Sequence, residues 1–419
     1  MEFKERLRSG LKRALVRLLV LCLQAIGEPT AWIAGRRKPR ALNSVGRILF
    51  IALDNPGDVL LATPCLTALK ERFPSAALTV LVGEWGRELL ESHPAVSKSI
   101  TYNAPWFKSY VSHLSHRPFR PIRDFFQCLW RLWCSRFDLV IETRGEASHI
   151  LLAYLSGASL RVGYAVRSVV PWLGPEAVRP LLTHQVPYPW NQWLEWHRAD
   201  YNLHVVRTLG AIPQDPSLVL PLSPDVHEEI ELFLEDHGVR RDELLIGVHP
   251  GASREQKRWP RRHFARILDA LIERWQARVV VLGSAQEERL AEELAAEMFH
   301  QPLLATGQTT LLGAAALVQR CQLVICNDSL ITHMASAVKT SVVTLIQSPS
   351  NLYAPYHTGG IALTHRLPCM NLGTADGCHC PFPDYRCLQE VTPEEVLVAT
   401  EEILKHSQSR WSWAHADCD

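Results

Sequence analysis

The sequence is poor in features that define several large functional classes. Its 419 residues hold 44 lysines and arginines against 43 aspartates and glutamates, so the net charge is only +1. A balance this even argues against a dedicated nucleic-acid-binding protein. The apolar run from Leu18 to Ile26 is far shorter than the roughly 20 residues of a bilayer-spanning helix. We therefore expect neither a nucleic-acid partner nor a transmembrane helix.

Familiar phosphate- and metal-binding motifs are also missing. The Gly-Lys-Ser/Thr step of a Walker A loop is absent, and the first strand-to-helix loop has one glycine where a dinucleotide fingerprint has three. An Asp-x-Asp motif occurs only at Asp417–Asp419, the last three residues, where we assign it no metal role. These motifs therefore indicate neither a Walker A phosphate site nor a metal held by Asp-x-Asp.

The first 44 residues differ from the rest in charge. Residues 1–40 contain ten lysines and arginines and three glutamates, around the apolar run that ends at Ile26. A signal peptide has a similar layout, but no small-residue cleavage site follows. We predict a basic amphipathic helix over residues 1–44 that lies on an anionic membrane surface. The alternative is a helix packed on the body of the protein.

Eleven cysteines without a convincing secretion signal favour a reducing compartment over a disulfide framework. Four of them fall within nineteen residues and can hold a structural zinc ion or an iron–sulfur cluster. Their C-x-C step is not the usual C-x-x-C, and the alternative is that they bind no metal. The four are Cys369, Cys378, Cys380 and Cys387.

Strand and helix patterns alternate from Val45 onwards, which is typical of a parallel α/β sheet. Four prolines between Ile212 and Asp225 interrupt the alternation, which then restarts. The pattern predicts two Rossmann-like domains that face a cleft, over residues 45–215 and 225–405. Between two strands of the first domain, residues 102–136 are rich in aromatic and basic side chains. We expect them either to face an anionic acceptor or to pack between the domains.

The stretch LDNPGDVLLAT, residues 53–63, turns from a strand into a helix at Gly57. Asp58 follows in the first helical turn, where a carboxylate can cap the helix. At the carboxyl edge of a parallel sheet it can instead accept a proton from a hydroxyl nucleophile. A capping role and a catalytic role both stay open.

Three further loops follow predicted strands in the second half. VHPGASREQKRWP places Ser253 and Lys257 where a hydroxyl and a positive charge can face a diphosphate. LGSAQEE places Glu287 at the start of a helix, a position suited either to ribose binding or to simple helix capping. LVICNDSLITHMASA, residues 323–337, predicts a strand, a cap and a helix whose N-terminus suits a phosphate. Each pattern alone also fits an ordinary structural element.

Together, LDNPGDVLLATPCLTALKERFP, HPGASREQKRWP, LGSAQEERLAEEL and NDSLITHMASA resemble glycosyltransferase family 9, the lipopolysaccharide heptosyltransferases. The resemblance covers roughly Val45 to Leu404. It implies a glycosyltransferase-B fold, an inverting reaction without a metal, and ADP-heptose as the donor. It also implies a glycolipid acceptor, and the basic N-terminal segment fits a peripheral protein at the cytoplasmic face of the inner membrane.

The resemblance assigns roles to individual residues. Asp58 is similar to the family's catalytic base, and Lys257 to the lysine that holds the donor diphosphate. Glu287 is similar to the acid beside the donor ribose. The remaining donor-binding positions are Ala252, Ser253, Asp328, Ser329 and His333.

One position departs from the family pattern. Leu330 stands where the family has a glycine after Ser329, which affects how closely a phosphate can approach the backbone there. The function that the resemblance as a whole predicts is heptosyl transfer to a lipopolysaccharide core or a similar membrane glycan. The alternatives are a nucleotide-sugar epimerase of the same architecture and a nucleotide-sugar-binding protein without turnover.

Overall fold

The computed structural model describes residues 42–104, 120–166, 175–192, 195–347, 351–365, 367 and 386–414. The predicted membrane-associating segment up to residue 41 therefore lies outside the described residues, as do Cys369, Cys378 and Cys380. Internal contacts divide the chain into two compact units. The first comprises Met1–Asn191 and Ala199–Asp215, and the second comprises Gln192–Arg198 and Pro216–Asp419.

The first unit is built on a six-stranded sheet in which all paired strands are parallel. Its strands are β1 (Arg47–Ala52), β2 (Ala77–Val82), β3 (Lys98–Thr101), β4 (Leu139–Glu142), β5 (Leu160–Gly163) and β6 (His184–Gln185). Its helices are α1 (Pro56–Leu60), α2 (Thr63–Arg72), α3 (Glu84–Glu91), α4 (Arg120–Ser135), α5 (Ala147–Leu155), α6 (Pro175–Val178) and α7 (Arg198–Arg207). The first residue of α7, Arg198, belongs to the second unit.

The second unit repeats this plan with another parallel six-stranded sheet. Its strands are β7 (Leu245–His249), β8 (Arg278–Val281), β9 (Leu303–Leu304), β10 (Leu323–Asn327), β11 (Ser341–Leu345) and β12 (Ile361–Leu363). Its helices are α8 (Pro224–Asp236), α9 (Arg261–Trp275), α10 (Glu288–Glu297), α11 (Leu311–Arg320), α12 (Leu330–Ala337), α13 (Arg386–Gln389) and α14 (Pro393–Ala414).

The two sheets share one topology. The first has the strand order β3-β2-β1-β4-β5-β6, and the second has the order β12-β11-β10-β7-β8-β9. When the second sheet is followed from β9 to β12, the strands of that unit come in the order third, second, first, fourth, fifth and sixth, as they do in the first sheet. This is the doubly wound arrangement. Its strand order reverses between β1 and β4 in one sheet and between β7 and β10 in the other. Ligands of open α/β sheets bind beyond the carboxyl ends of the strands at such reversals.

The strands at these reversals form the buried centre of each unit. All five residues of β7 and of β10 are buried, and so are all residues of β1 except Arg47. Continuous apolar strands of this kind are expected where helices cover both faces of a parallel sheet. The polar side chains that follow these strands are consequently held on a rigid base.

One predicted helix is divided in two. The pattern of residues 58–73 predicts a single helix, whereas α1 ends at Leu60 and α2 begins at Thr63. Pro64 is the physical cause, because it has no N–H to donate and is accommodated only in the first turn of a new helix. Asp58 therefore lies on a five-residue helix directly after β1. None of the described helices is long and apolar enough to cross a membrane.

Candidate active site

Asp58 and Arg144 meet beyond the reversal between β1 and β4. Nη1 of Arg144 lies 3.0 Å from Oδ2 of Asp58 and 2.8 Å from Oδ1 of Asp54. The three side chains are largely buried, with exposed fractions of 14%, 18% and 13% for Asp58, Arg144 and Asp54. A guanidinium between two carboxylates offsets their mutual repulsion. The arrangement thus fixes the Asp58 carboxylate beside a cation at this edge of the sheet.

A buried glutamate holds the loop that carries Arg144. The Glu142 carboxylate accepts hydrogen bonds from the backbone N–H groups of Arg144, at 2.8 Å, and of Gly145, at 2.6 Å. Gly145 has a φ of +78°, and a Cβ there would lie 2.5 Å from a methyl group of Val166. Glycine is needed here on both grounds. The turn directs the chain after β4 toward the Asp58 side of the sheet edge.

His149 shares the Glu142 carboxylate. Its Nδ1 lies 3.2 Å from Oε1 of Glu142, and both side chains are almost wholly buried. Burial opposes a charge on the imidazole. The hydrogen bond and charge of Glu142, with additional contributions from Asp54 and Glu146, outweigh that effect and raise the pKa of His149. The positive charge favoured on His149 balances the buried Glu142.

In the second unit, Lys257 and Asp328 form a direct ion pair. Lys257 closes a short 3₁₀ helix, Glu255–Lys257, and Asp328 follows β10. The Lys257 Nζ lies 2.6 Å from Oδ2 of Asp328, whose side chain is only 9% exposed. The backbone N–H of Asp328 donates to the carbonyl oxygen of Leu345 at 3.0 Å. Asp328 therefore positions the lysine, and its own amide is already bonded within the sheet.

Asn327, the last residue of β10, holds both ends of the loop that carries Lys257. Its Oδ1 accepts from the backbone N–H of Trp259 at 3.0 Å, and its Nδ2 donates to the carbonyl oxygen of Pro250 at 2.8 Å. The indole of Trp259 is buried and donates to the carbonyl oxygen of Val391 at 2.9 Å. Lys257 lies between these fixed points, so its backbone has little freedom.

His249, the last residue of β7, connects two of the predicted donor-binding residues. Its Nδ1 lies 3.1 Å from Oγ of Ser329, and its Nε2 lies 3.3 Å from Oε1 of Glu287. A Cβ on Gly251 would lie 1.9 Å from that same Oε1. Only glycine leaves room for the pair of His249 and Glu287.

Glu287 has an unusually acidic carboxyl group. Burial acts to raise its pKa, but the hydrogen bond and charge of His249 and two hydrogen bonds from Ser284 lower it to about 2. The Ser284 bonds form a capping box at the 3₁₀ helix Ala285–Glu287. Glu287 is consequently both a helix cap and an ionised hydrogen-bond acceptor, and the alternative of ribose binding stays a prediction.

The other predicted donor-binding residues lie on the loop after β7 and on α12. Ala252 is buried and Ser253 is exposed, directly after Gly251. Ser329 is the N-cap of α12 but makes no capping hydrogen bond with its side chain, which instead meets His249. His333 is buried on α12, with its ring centroid 6.2 Å from that of Tyr353. Leu330 opens α12 and is half-buried.

Comparison with known proteins identifies the family. The model of glycosyltransferase family 9 (heptosyltransferase) matches residues 127–371, which is more than half of the chain. The chain belongs to glycosyltransferase family 9. It is therefore a glycosyltransferase, as the motifs predict.

Two curated relatives extend the similarity over most of the chain. Lipopolysaccharide heptosyltransferase 2 of Salmonella typhimurium is 25% identical over 377 residues, which cover 85% of this chain and 98% of the relative. Lipopolysaccharide heptosyltransferase 3 of Escherichia coli K12 is 24% identical over 352 residues, which cover 83% of this chain and 95% of the relative.

Solved structures share the fold. The family 9 glycosyltransferase of Veillonella parvula superposes with a TM-score of 0.72 at 24% identity, covering 86% of this chain and 98% of its own. The ADP-heptose lps heptosyltransferase II of Escherichia coli gives 0.64 at 21% identity, covering 86% and 99%. The predicted α/β fold with two parallel-sheet domains, the glycosyltransferase-B architecture, is confirmed.

The sequence alone does not single out Arg144 and His249, which take part in the two side-chain networks described above. Arg144 lies in an ordinary-looking TRGE step, whose only signals are its place after a strand and before a glycine. His249 opens the HPGAS stretch, in which the small-residue loop and the lysine after it carry the stronger local signal for phosphate binding. Arg144 follows β4 and His249 ends β7, both central strands at the sheet reversals, and it is the strand order that singles them out.

The cysteine cluster is described only at Cys387. Its thiol is buried and donates to the carbonyl oxygen of Gln347 at 3.5 Å. Within the described parts of the chain, no group of three or more His, Cys, Asp or Glu side chains is placed to bind a metal. The predicted alternative of a structural zinc ion or iron–sulfur cluster stays untested.

Proposed function

We propose that this family 9 glycosyltransferase transfers heptose, with inversion, from ADP-heptose to a hydroxyl group of a lipopolysaccharide core. The curated relatives named above support both the sugar and the acceptor. The observation that carries the proposal is that each sheet reversal holds a different kind of ion pair. One holds a buried carboxylate paired with arginine, and the other holds a lysine oriented by an aspartate.

In the proposed reaction, Asp58 is the general base. The acceptor oxygen attacks the anomeric carbon while its proton passes to the Asp58 carboxylate. The bond from the anomeric carbon to the phosphate oxygen breaks, and ADP leaves with the bonding electrons from the opposite face. Arg144 holds the carboxylate ionised and in place until it accepts the proton.

Lys257 is proposed to stabilise the departing diphosphate. An ammonium group has three N–H donors, and Asp328 occupies one of them, so two remain for phosphate oxygens. The first turn of α12 adds N–H groups that lack partners within the helix. With these positive groups, the proposed transfer needs no metal cofactor.

Glu287 is proposed to bind the donor ribose. Its low pKa keeps it ionised, and an ionised carboxylate accepts hydrogen bonds from two neighbouring hydroxyl groups. Ala252, Ser253, Ser329 and His333 are proposed to complete the donor site, with residues 45–215 as the acceptor domain and 225–405 as the donor domain. The enzyme is proposed to work as a peripheral protein at the cytoplasmic face of the inner membrane.

One set of incubations tests this proposal against its alternatives. The purified enzyme is incubated with ADP-heptose and with other nucleotide sugars, each with and without a heptose-deficient lipopolysaccharide acceptor. Release of ADP that depends on both ADP-heptose and the acceptor supports the proposal. Conversion of the sugar without acceptor would indicate an epimerase, and binding without turnover would indicate a non-catalytic protein. Either result overturns heptosyl transfer.

A further inference from the structure

Helix α4 displays three large aromatic side chains to solvent. The exposed fractions of Phe126, Trp130 and Trp133 are 63%, 67% and 44%. Spacings of four and three residues place them along one side of the helix. Isolated exposed apolar residues are ordinary on protein surfaces, whereas a contiguous group marks an interaction surface.

The same helix is firmly attached by its other side. Cys128, Leu129 and Leu132 are buried in the apolar core of the first unit. The Trp133 indole N–H donates to the carbonyl oxygen of Leu155 at the end of α5. The exposed rings are thus presented on a fixed support and are not free to fold back into the core.

Arginines flank the aromatic side chains. Residues 120–136 contain four arginines and a single acid, Asp124, which lies 3.4 Å from Arg123. Arg123, Arg131 and Arg136 are exposed. Together with Phe126, Trp130 and Trp133 they form what we call the aromatic–arginine face.

We propose that the aromatic–arginine face binds an anionic lipid membrane. Tryptophan and phenylalanine rings enter the headgroup boundary, and arginines pair with lipid phosphates. The inference rests on the proposed function in one respect, since an acceptor in the membrane gives the enzyme a reason to bind there. The predicted N-terminal segment would then be one of two attachment points.

The charge of the face favours lipid over a second copy of the chain. In a two-fold dimer the same patch meets itself, so the exposed arginines of both copies would be brought together with only Asp124 on this helix of each copy to offset them. An anionic bilayer instead supplies phosphates to every arginine and an apolar boundary to every ring. A bilayer therefore satisfies both the charge and the apolar surface of the face.

The first test measures binding of the full-length protein to sedimented vesicles. Vesicles of phosphatidylethanolamine and phosphatidylglycerol are compared with vesicles of phosphatidylcholine alone. The double variant F126S/W130S is expected to lower the partition constant on anionic vesicles about tenfold. F299S is the matched control, because Phe299 is 91% exposed after α10 in the second unit. A loss no larger than that of F299S overturns the proposal.

A charge variant tests the same face without altering its rings. R131E is expected to weaken binding to anionic vesicles several-fold, with a smaller effect as salt is added. R289E is its control, since Arg289 is also exposed and lies on α10. Equal effects of R131E and R289E overturn the proposal, even if F126S/W130S proves unstable in a thermal melt.

Two additional measurements distinguish lipid binding from self-association and from the proposed heptosyl transfer. A change in sedimenting mass of F126S/W130S without a change in vesicle binding would assign the face to self-association and overturn lipid binding. Calorimetric binding of ADP and transfer to a water-soluble core oligosaccharide report the proposed function independently. Failure of those two assays, with vesicle binding as expected, overturns heptosyl transfer and leaves the membrane face standing.

Discussion

Arg144 forms an ion pair with Asp58, with 3.0 Å between Nη1 and Oδ2, while the same nitrogen lies 2.8 Å from Oδ1 of Asp54. One guanidinium thus serves two carboxylates that stand on either side of the turn from β1 into α1. The proposed base consequently depends on a side chain that arrives from a different strand, β4, some ninety positions along the chain.

Asp58→Asn tests the base directly. The amide keeps an oxygen for Arg144 but cannot take a proton at neutral pH, so we expect kcat to fall by about 10²–10⁴-fold. Binding of ADP, measured by calorimetry, is expected to stay within about twofold of wild type, because the donor residues lie on other loops. Asp54→Asn is the matched control, since it shares Arg144. A kcat for D58N within tenfold of wild type would end the base assignment.

Arg144→Gln is expected to lower both stability and turnover. Removing the guanidinium takes away the ion pair that the two largely buried carboxylates share, which costs about 2–4 kcal/mol in the free energy of unfolding. Urea denaturation measures that loss. The double variant R144Q/D54N removes one of the two carboxylate charges and should recover part of it. Independent, additive losses would show that the three side chains do not act as a unit.

The sequence made the strand-loop-helix units recognisable because apolar strands and capped helices leave local patterns. β7 with HPGAS and β10 with NDS are examples. The alternation of strands and helices was likewise sufficient to predict two parallel sheets. The order of the strands within each sheet cannot be predicted from these local patterns, because pairing between strands that are distant in the sequence leaves no short-range periodicity.

The side-chain partners could not be predicted for the same reason. Lys257 and Asp328 lie 71 positions apart, and His249 reaches Glu287 across 38 and Ser329 across 80. Nothing local in a sequence records such pairs. The sequence therefore predicts a phosphate-binding lysine at position 257 but not the Asp328 carboxylate that orients it.

Lys257→Met is expected to weaken ADP binding about 10–100-fold, because a methionine keeps the apolar stem and removes the charge proposed to face the diphosphate. Adenosine has no phosphate, so its affinity should change far less, and calorimetry with both ligands gives the ratio. Lys405→Met is the control, since Lys405 lies on α14 with an exposed side chain. Equal losses for ADP and adenosine would contradict a diphosphate contact.

Gly251→Ala is expected to break the link between His249 and Glu287. The new methyl would overlap the Glu287 carboxylate at 1.9 Å and approach Nε2 of His249 at 2.8 Å. We expect a loss of about 1–3 kcal/mol in the free energy of unfolding and a weaker affinity for ADP. Gly46→Ala serves as control, because its methyl would meet only Asp138 Oδ2, at 3.6 Å. Comparable effects of the two variants would show that the Gly251 contact is tolerated.

His197→Gln is expected to make the protein less sensitive to acid. The His197 ring is buried, donates from Nε2 to the carbonyl oxygen of Ala354 at 3.0 Å and stacks on Tyr356 at 4.4 Å. Burial, followed by the nearby His333, lowers its pKa from 6.5 to about 3.

Between these two values the unfolded chain binds a proton at residue 197 that the folded chain does not. The contribution of neutral His197 is therefore complete above pH 6.5 and is lost as the pH falls toward 3, by up to about 1.4 kcal/mol per pH unit. Glutamine keeps an N–H for Ala354 but does not titrate. Urea denaturation of wild type and H197Q at several values between about pH 7 and pH 5 should give a flatter dependence for the variant. Parallel curves would show that proton binding at residue 197 does not change on unfolding in this pH range, and would refute a lowered pKa for His197 in the folded protein.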